Sequence, residues 1–126
     1  MDYKAIQKRN PQKPTEAMKW YAQIVLGKEV TIAELVEDIE KFSALSEPDI
    51  RGVIIALENV VQKKLADGRI VRFEQLGSLY PSLSSSPAEE EAKLTADNIK
   101  DVKVNYRPGK RITEAMQAAP KHKVKA

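Results

Sequence analysis

The sequence predicts an α+β fold in which a pair of helices sits above a β-ribbon, and three observations predict it. Two stretches, from Thr31 to Phe42 and from Ser46 to Leu65, each open on a capping residue and carry apolar side chains at three- and four-residue steps. A strand-like run, Arg69-Ile70-Val71-Arg72-Phe73, leads to a turn at Gly77-Ser78, where a missing β-carbon lets the backbone reverse or bulge. Further on, Val102, Val104 and Tyr106 alternate with Lys103, Asn105 and Arg107, so one face packs and the other meets a partner.

The 126 residues suit one domain. Cysteine is absent, which excludes disulfides, thiolate zinc sites and a cysteine nucleophile, and fits a cytoplasmic location. The longest apolar stretch, Val53-Ile54-Ile55-Ala56-Leu57, is far below the ~18–20 residues that span a bilayer, so neither export signal nor membrane span is expected. No phosphate-binding glycine loop or metal-ligand spacing is visible, and the sole histidine, His122, lies near the C-terminus. A non-enzymatic protein without cofactor, metal or small-molecule substrate follows.

Charge is distributed unevenly. Residues 1–28 hold six basic side chains against two acidic, residues 29–92 six against thirteen, and residues 93–126 nine against three. Basic ends flanking an acidic middle point to a polyanion partner for one surface only.

Residues 1–29 read as an N-terminal extension packed on the core. Tyr3 to Lys8 and Trp20 to Val25 have strand propensity, and Pro11 and Pro14 forbid regular structure between them, which gives a hairpin with a long irregular turn. Trp20 and Tyr21 are large enough to anchor it. Thr31-Ile32-Ala33-Glu34 has capping-box spacing and starts a helix whose stripe is Ile32, Leu35, Val36, Ile39 and Phe42. Ser46 caps the next, Pro48 lies in its first turn, and Asp67-Gly68 ends it. Ile50, Val53, Ile54, Leu57, Val60, Val61 and Leu65 give that helix more apolar surface than one small chain covers, so a homodimer is expected. Ser82 to Ala92 is too polar to order itself and reads as a mobile arm; Thr113 to Ala119 reads as a short helix, and residues 121–126 as a disordered basic tail.

Two helices, then Leu65-Ala66-Asp67-Gly68-Arg69-Ile70-Val71, Leu76-Gly77-Ser78-Leu79, a polar arm and Tyr106-Arg107-Pro108-Gly109-Lys110 form an order that resembles the bacterial HU/integration host factor family of histone-like DNA-binding proteins. The likeness is strongest to a longer HU-like branch with an N-terminal extension. It covers roughly residues 30–118 and implies an HU-like intertwined dimer: a DNA-binding domain over residues 30–120 with an arm at about 82–101. It further implies a nucleoid-associated protein that condenses or shapes double-stranded DNA. By position in the family, Arg107, Lys110 and Arg111 would hold phosphates at the dimer saddle, Lys100 and Lys103 along the returning arm strand, and backbone N–H groups at Gly77 and Ser78 would add contacts.

The arm departs from that pattern. The family's tip is basic and carries an Arg-Asn-Pro turn that wedges between base steps, whereas this arm reads Ser84-Ser85-Ser86-Pro87-Ala88-Glu89-Glu90-Glu91. Arg9-Asn10-Pro11 spells the missing turn inside the extension. The three glutamates leave an alternative: an HU-like dimer serving as a protein-interaction or scaffold module whose DNA binding is weakened or self-inhibited.

Overall fold

The computed structural model describes residues 1–125, which form three helices and two three-stranded sheets in an α+β arrangement. The chain divides into two units: Met1–Val30 together with the segment from Ala115, and Thr31–Glu114.

In the first unit, strands β1 (Asp2–Lys8) and β2 (Lys19–Val25) form an antiparallel hairpin with register running from Asp2 opposite Val25 to Lys8 opposite Lys19. The irregular turn expected around the two prolines is there. Asn10 folds it: its side-chain oxygen accepts from the Gln12 N–H at 3.0 Å and its carbonyl from the Lys13 N–H at 3.1 Å. Pro11 sits between them, where its fixed φ favours a turn.

The C-terminal segment corrects one expectation. Residues expected to be a disordered tail add a short parallel strand, His122–Lys123, to the free edge of β1. The His122 N–H donates to the Met1 carbonyl at 3.0 Å and the Val124 N–H to the Tyr3 carbonyl at 2.8 Å; the terminal ammonium donates to Pro120 at 2.9 Å. An unpaired strand edge recruits backbone whatever its side chains, so a lysine-rich composition hides the strand. Ala126, the last residue of the expected tail, lies outside the described residues.

In the second unit, α1 (Ile32–Glu40) and α2 (Glu47–Ala66) begin where their caps were read. Thr31 Oγ1 accepts from the Glu34 N–H at 3.3 Å, and Ser46 Oγ from the Asp49 N–H at 3.4 Å. The return half of the Thr31–Glu34 box is not formed. The first helix also stops short of Phe42, which is left 91% exposed. Gly68, at φ 78°, carries the chain out of α2 through the left-handed region that favours glycine. Across the α1–α2 junction the Glu47 carboxyl is raised above its usual value, first by a hydrogen bond with Glu40, then by that residue's charge and slight burial.

The second sheet follows as β3 (Val71–Phe73), β4 (Gly77–Ser85) and β5 (Ile99–Pro108), in that order and antiparallel throughout. Helix α2 packs on α1 and on β3 and β4. Helix α3 (Lys110–Ala118) opens immediately after Gly109, three residues earlier than expected, because the Gly109 carbonyl accepts from both the Thr113 N–H (3.1 Å) and the Thr113 hydroxyl (3.2 Å). Lys110 and Arg111 therefore occupy the first turn of a helix. Among the described residues only Val36 and Ile50 are buried large apolar side chains; Val53, Leu57 and Val60 of α2 remain about half exposed or more. One chain alone has almost no core.

Candidate nucleic-acid interface

The β4–β5 register sorts the ribbon into two faces. Leu79 lies opposite Tyr106, Pro81 opposite Val104 and Leu83 opposite Val102; between them Ser78 faces Arg107, Tyr80 faces Asn105 and Ser82 faces Lys103. Directly opposed residues share a face and successive residues alternate. One side is thus apolar and the other polar and basic, with Arg72 of β3 joining the polar side opposite Ser78.

The root of the ribbon is held by two glycines. Gly77 has φ 117° and no room for a side chain: an added β-carbon would overlap the Arg107 carbonyl oxygen. Gly109 is ordinary in backbone angle, but its β-carbon would overlap the Gln75 carbonyl oxygen. The Gly109 N–H donates to the Leu76 carbonyl at 3.3 Å, and the Tyr106 hydroxyl donates to the same oxygen at 2.6 Å. These contacts tie the Glu74-Gln75-Leu76 turn to the start of α3, so Ser78, Arg107, Lys110 and Arg111 share one anchored neighbourhood.

On the polar face above that root, Arg72 Nε donates to Ser78 Oγ at 3.4 Å, and the Arg107 guanidinium lies 5.8 Å from the centre of the Tyr80 ring. Ile70, Arg72, Ser78, Tyr80 and Arg107 line an open depression of about 200 Å³ there. Stacking on Tyr80 limits the rotamers of Arg107 while leaving its donors free, which lowers the entropy lost when it grips an anion. Of the charges on this face, Lys103 pairs with Asp101 at 3.5 Å. Lys110 pairs with Glu114 on its own helix at 3.7 Å. Among the described residues Arg72, Arg107 and Arg111 have no carboxylate partner within ion-pair distance. Basic residues in the first turn of a helix oppose its dipole, and an anion bound at that turn relieves the conflict.

The structure brings Gly77, Ser78 and Arg107 together in register and places Lys110 and Arg111 one short step away in chain. Lys103 lies farther along the same face. Lys100 is displaced, because a bulge sets Ser84 opposite Asp101 and Ser85 opposite Ile99, leaving Lys100 unpaired between them. Arg72 and Tyr80 escaped the sequence reading. Their alternation with Val71, Phe73 and Leu79 was visible, but the offset of β3 on β4 depends on the three-residue turn.

Toward the tip, the segment expected to be mobile, Ser82 to Ala92, runs from the end of β4 into a 3₁₀ turn, Glu91–Lys93, and a second 3₁₀ turn, Ala96–Asn98, follows it. The Ser86 N–H donates to the Asn98 carbonyl at 2.8 Å, Asn98 Nδ2 to Ser86 Oγ at 3.2 Å, and the Thr95 N–H to Asn98 Oδ1 at 3.0 Å. Backbone and side-chain hydrogen bonds of this kind order a polar segment without burial, which is why composition alone suggested mobility.

With this two-faced ribbon and paired helices in view, the sequence matches the HU-HIG family, HU domain fused to wHTH, Ig, or glycine-rich motif, over residues 1–123, and the chain belongs to it. A solved structure similar to it is that of a candidate bacterial DNA-binding protein from Bacteroides vulgatus, at 14% identity and a TM-score of 0.65. The match covers 98% of this chain and 49% of that one, so this chain spans about half the length of its solved neighbour. At that identity the likeness establishes the fold. No curated protein matches the sequence significantly. Among the described residues no helix is long and apolar enough to cross a membrane, and no three His, Asp or Glu side chains are grouped as metal ligands.

Proposed function

We propose that the chain is a non-enzymatic, weakly sequence-selective DNA-binding protein that acts as a homodimer and shapes bacterial nucleoid DNA. The observation that carries this reading is the root of the ribbon. Arg72, Ser78, Tyr80 and Arg107 form a polar face whose two guanidinium groups have no carboxylate partner among the described residues, and Lys110 and Arg111 follow in the opening turn of α3. Such a surface binds phosphates and displaces condensed counterions, giving affinity with little base preference. Membership of an HU-domain family supports duplex DNA as the polyanion. Lys103 and Lys100 extend the contact toward the tip, and the Gly77 and Ser78 backbone supports it.

The test is a salt titration of binding to mixed-sequence duplexes. The logarithm of affinity should fall linearly with the logarithm of salt concentration. Changing Arg107, Lys110 and Arg111 together to glutamine should flatten that slope by up to about 5, since each phosphate contact contributes roughly 0.9 and a homodimer loses six. The loss should be uniform across sequences. A wild-type slope near zero would sink the proposal.

A second reading rests on the tip. Leu83, Leu94 and Ile99 are 41–59% exposed around an open apolar hollow, and the segment between β4 and β5 also carries Glu89, Glu90 and Glu91. An apolar, acidic end suits a basic protein surface better than a minor groove. In the self-inhibited form of this reading, Glu89, Glu90 and Glu91 changed together to glutamine should raise DNA affinity in the same titration. Unchanged affinity would remove self-inhibition.

A further inference from the structure

The N-terminal sheet has a sidedness that the ribbon's function does not use. Tyr3 pairs with Ile24, Ala5 with Ala22 and Gln7 with Trp20, so these residues line one face; Lys4 pairs with Gln23, Ile6 with Tyr21 and Lys8 with Lys19, and they line the other. The first face is largely apolar. The second carries three lysines around Tyr21 and Ile6, with one carboxylate, Asp2, at its far end beside His122. Arg9 follows Lys8 directly, at the entry to the turn pinned by Asn10.

Two features bear on what this face can bind. Among the described residues Lys4, Lys8, Arg9 and Lys19 take part in no ion pair, so no carboxylate of the chain neutralises the row. In addition, the hairpin register sets Lys8 directly opposite Lys19, a position in which β-carbons lie about 5 Å apart and like charges destabilise the pair. An anion between them reverses the sign of that interaction. Lys4 lies about 13 Å from Lys8 along β1 on the same face, so the positive charge forms a row suited to a chain of phosphates.

We infer that this face of the β1–β2 hairpin, through Lys4, Lys8, Arg9 and Lys19, is a second contact surface for the phosphate backbone of duplex DNA. The inference rests on the DNA-binding reading of the ribbon and adds a separate site to it. Tyr21 and Ile6 keep the lysine stems apart and give them an apolar bed. An acidic protein is the competing occupant, and the experiment distinguishes it.

The full chain with Lys4, Lys8 and Lys19 changed to glutamine is titrated with salt on the same mixed-sequence duplex, beside the Arg107/Lys110/Arg111 variant. The salt slope should fall by up to about 5 in the lysine variant, because a homodimer loses six lysines, equally across sequences, and arginine at the same three positions should restore it. On the unaltered chain, saturating duplex should protect Lys4, Lys8 and Lys19 from amine acylation, read by mass spectrometry; this arm needs no variant to fold. A wild-type slope in the lysine variant, or unprotected lysines, while the Arg107/Lys110/Arg111 variant is weakened, overturns the inference, leaves the ribbon reading standing and directs the search to an acidic protein. Absent salt dependence in the wild type overturns both.

Discussion

Gly77→Ala is expected to cost about 3 kcal/mol or more of stability and to remove most DNA binding, because it strikes the joint of the ribbon twice. A non-glycine residue at φ 117° carries roughly 1–3 kcal/mol of backbone strain. The new methyl also overlaps the Arg107 carbonyl oxygen and presses on backbone atoms of Pro108 and Gly109. Main-chain atoms on a paired strand cannot swing aside as a side-chain end would. Relief therefore separates β4 from β5 at the pair that holds Ser78 opposite Arg107. Gly109→Ala makes a useful companion: its backbone angle is ordinary, so it loses only space, against the Gln75 carbonyl. Urea melts should rank Gly77→Ala as the more destabilised, with DNA affinity falling in both. A Gly77→Ala protein with wild-type stability would show that the turn relaxes freely and that this account of the root is wrong.

That joint also marks where sequence reading succeeded. Gly77 was legible because a glycine between two strand-like runs has few other reasons to be there, and both α1 and α2 starts were legible because Thr31 and Ser46 act within three residues of themselves. Local chemistry leaves local signatures. Arg72 and Tyr80 were not found, since their meeting with Ser78 and Arg107 depends on strand register across separate segments. The third strand of the first sheet was missed for a related reason. His122 and Lys123 join β1 through main-chain hydrogen bonds, which side-chain identity does not report. Order at the arm tip depended on Ser86 meeting Asn98 twelve residues away, a pairing that a polar run shows only once the strands on either side are aligned.

Leu57→Asp is expected to dissociate and largely unfold the protein, a larger effect than any single charge change. Along α2, Ile50 is buried and Ile54, Val61 and Leu65 are half-buried against the rest of their own chain, yet Val53, Leu57 and Val60 form a further stripe that is 60%, 46% and 52% exposed. A helix apolar on two sides is stable in water when both sides are covered. The same shortage of cover recurs on the ribbon, where Val102, Val104 and Tyr106 are all more than half exposed. A second copy related by a two-fold axis, as proposed, would cover like with like and supply that surface. Burying one leucine contributes roughly 1.5–3 kcal/mol, and a homodimer loses it twice, before the cost of placing two carboxylates in the seam. Against a total stability of about 5–15 kcal/mol, little remains. Light scattering should find the wild type dimeric, with a melting temperature that rises with protein concentration because association and folding are linked. The Leu57→Asp chain should scatter as a monomer and melt without a cooperative transition. Lys41→Ala provides the contrast, since its pair with Asp38 at 3.6 Å is exposed and contributes less than about 1 kcal/mol. A folded wild-type monomer at micromolar concentration would overturn the proposed homodimer.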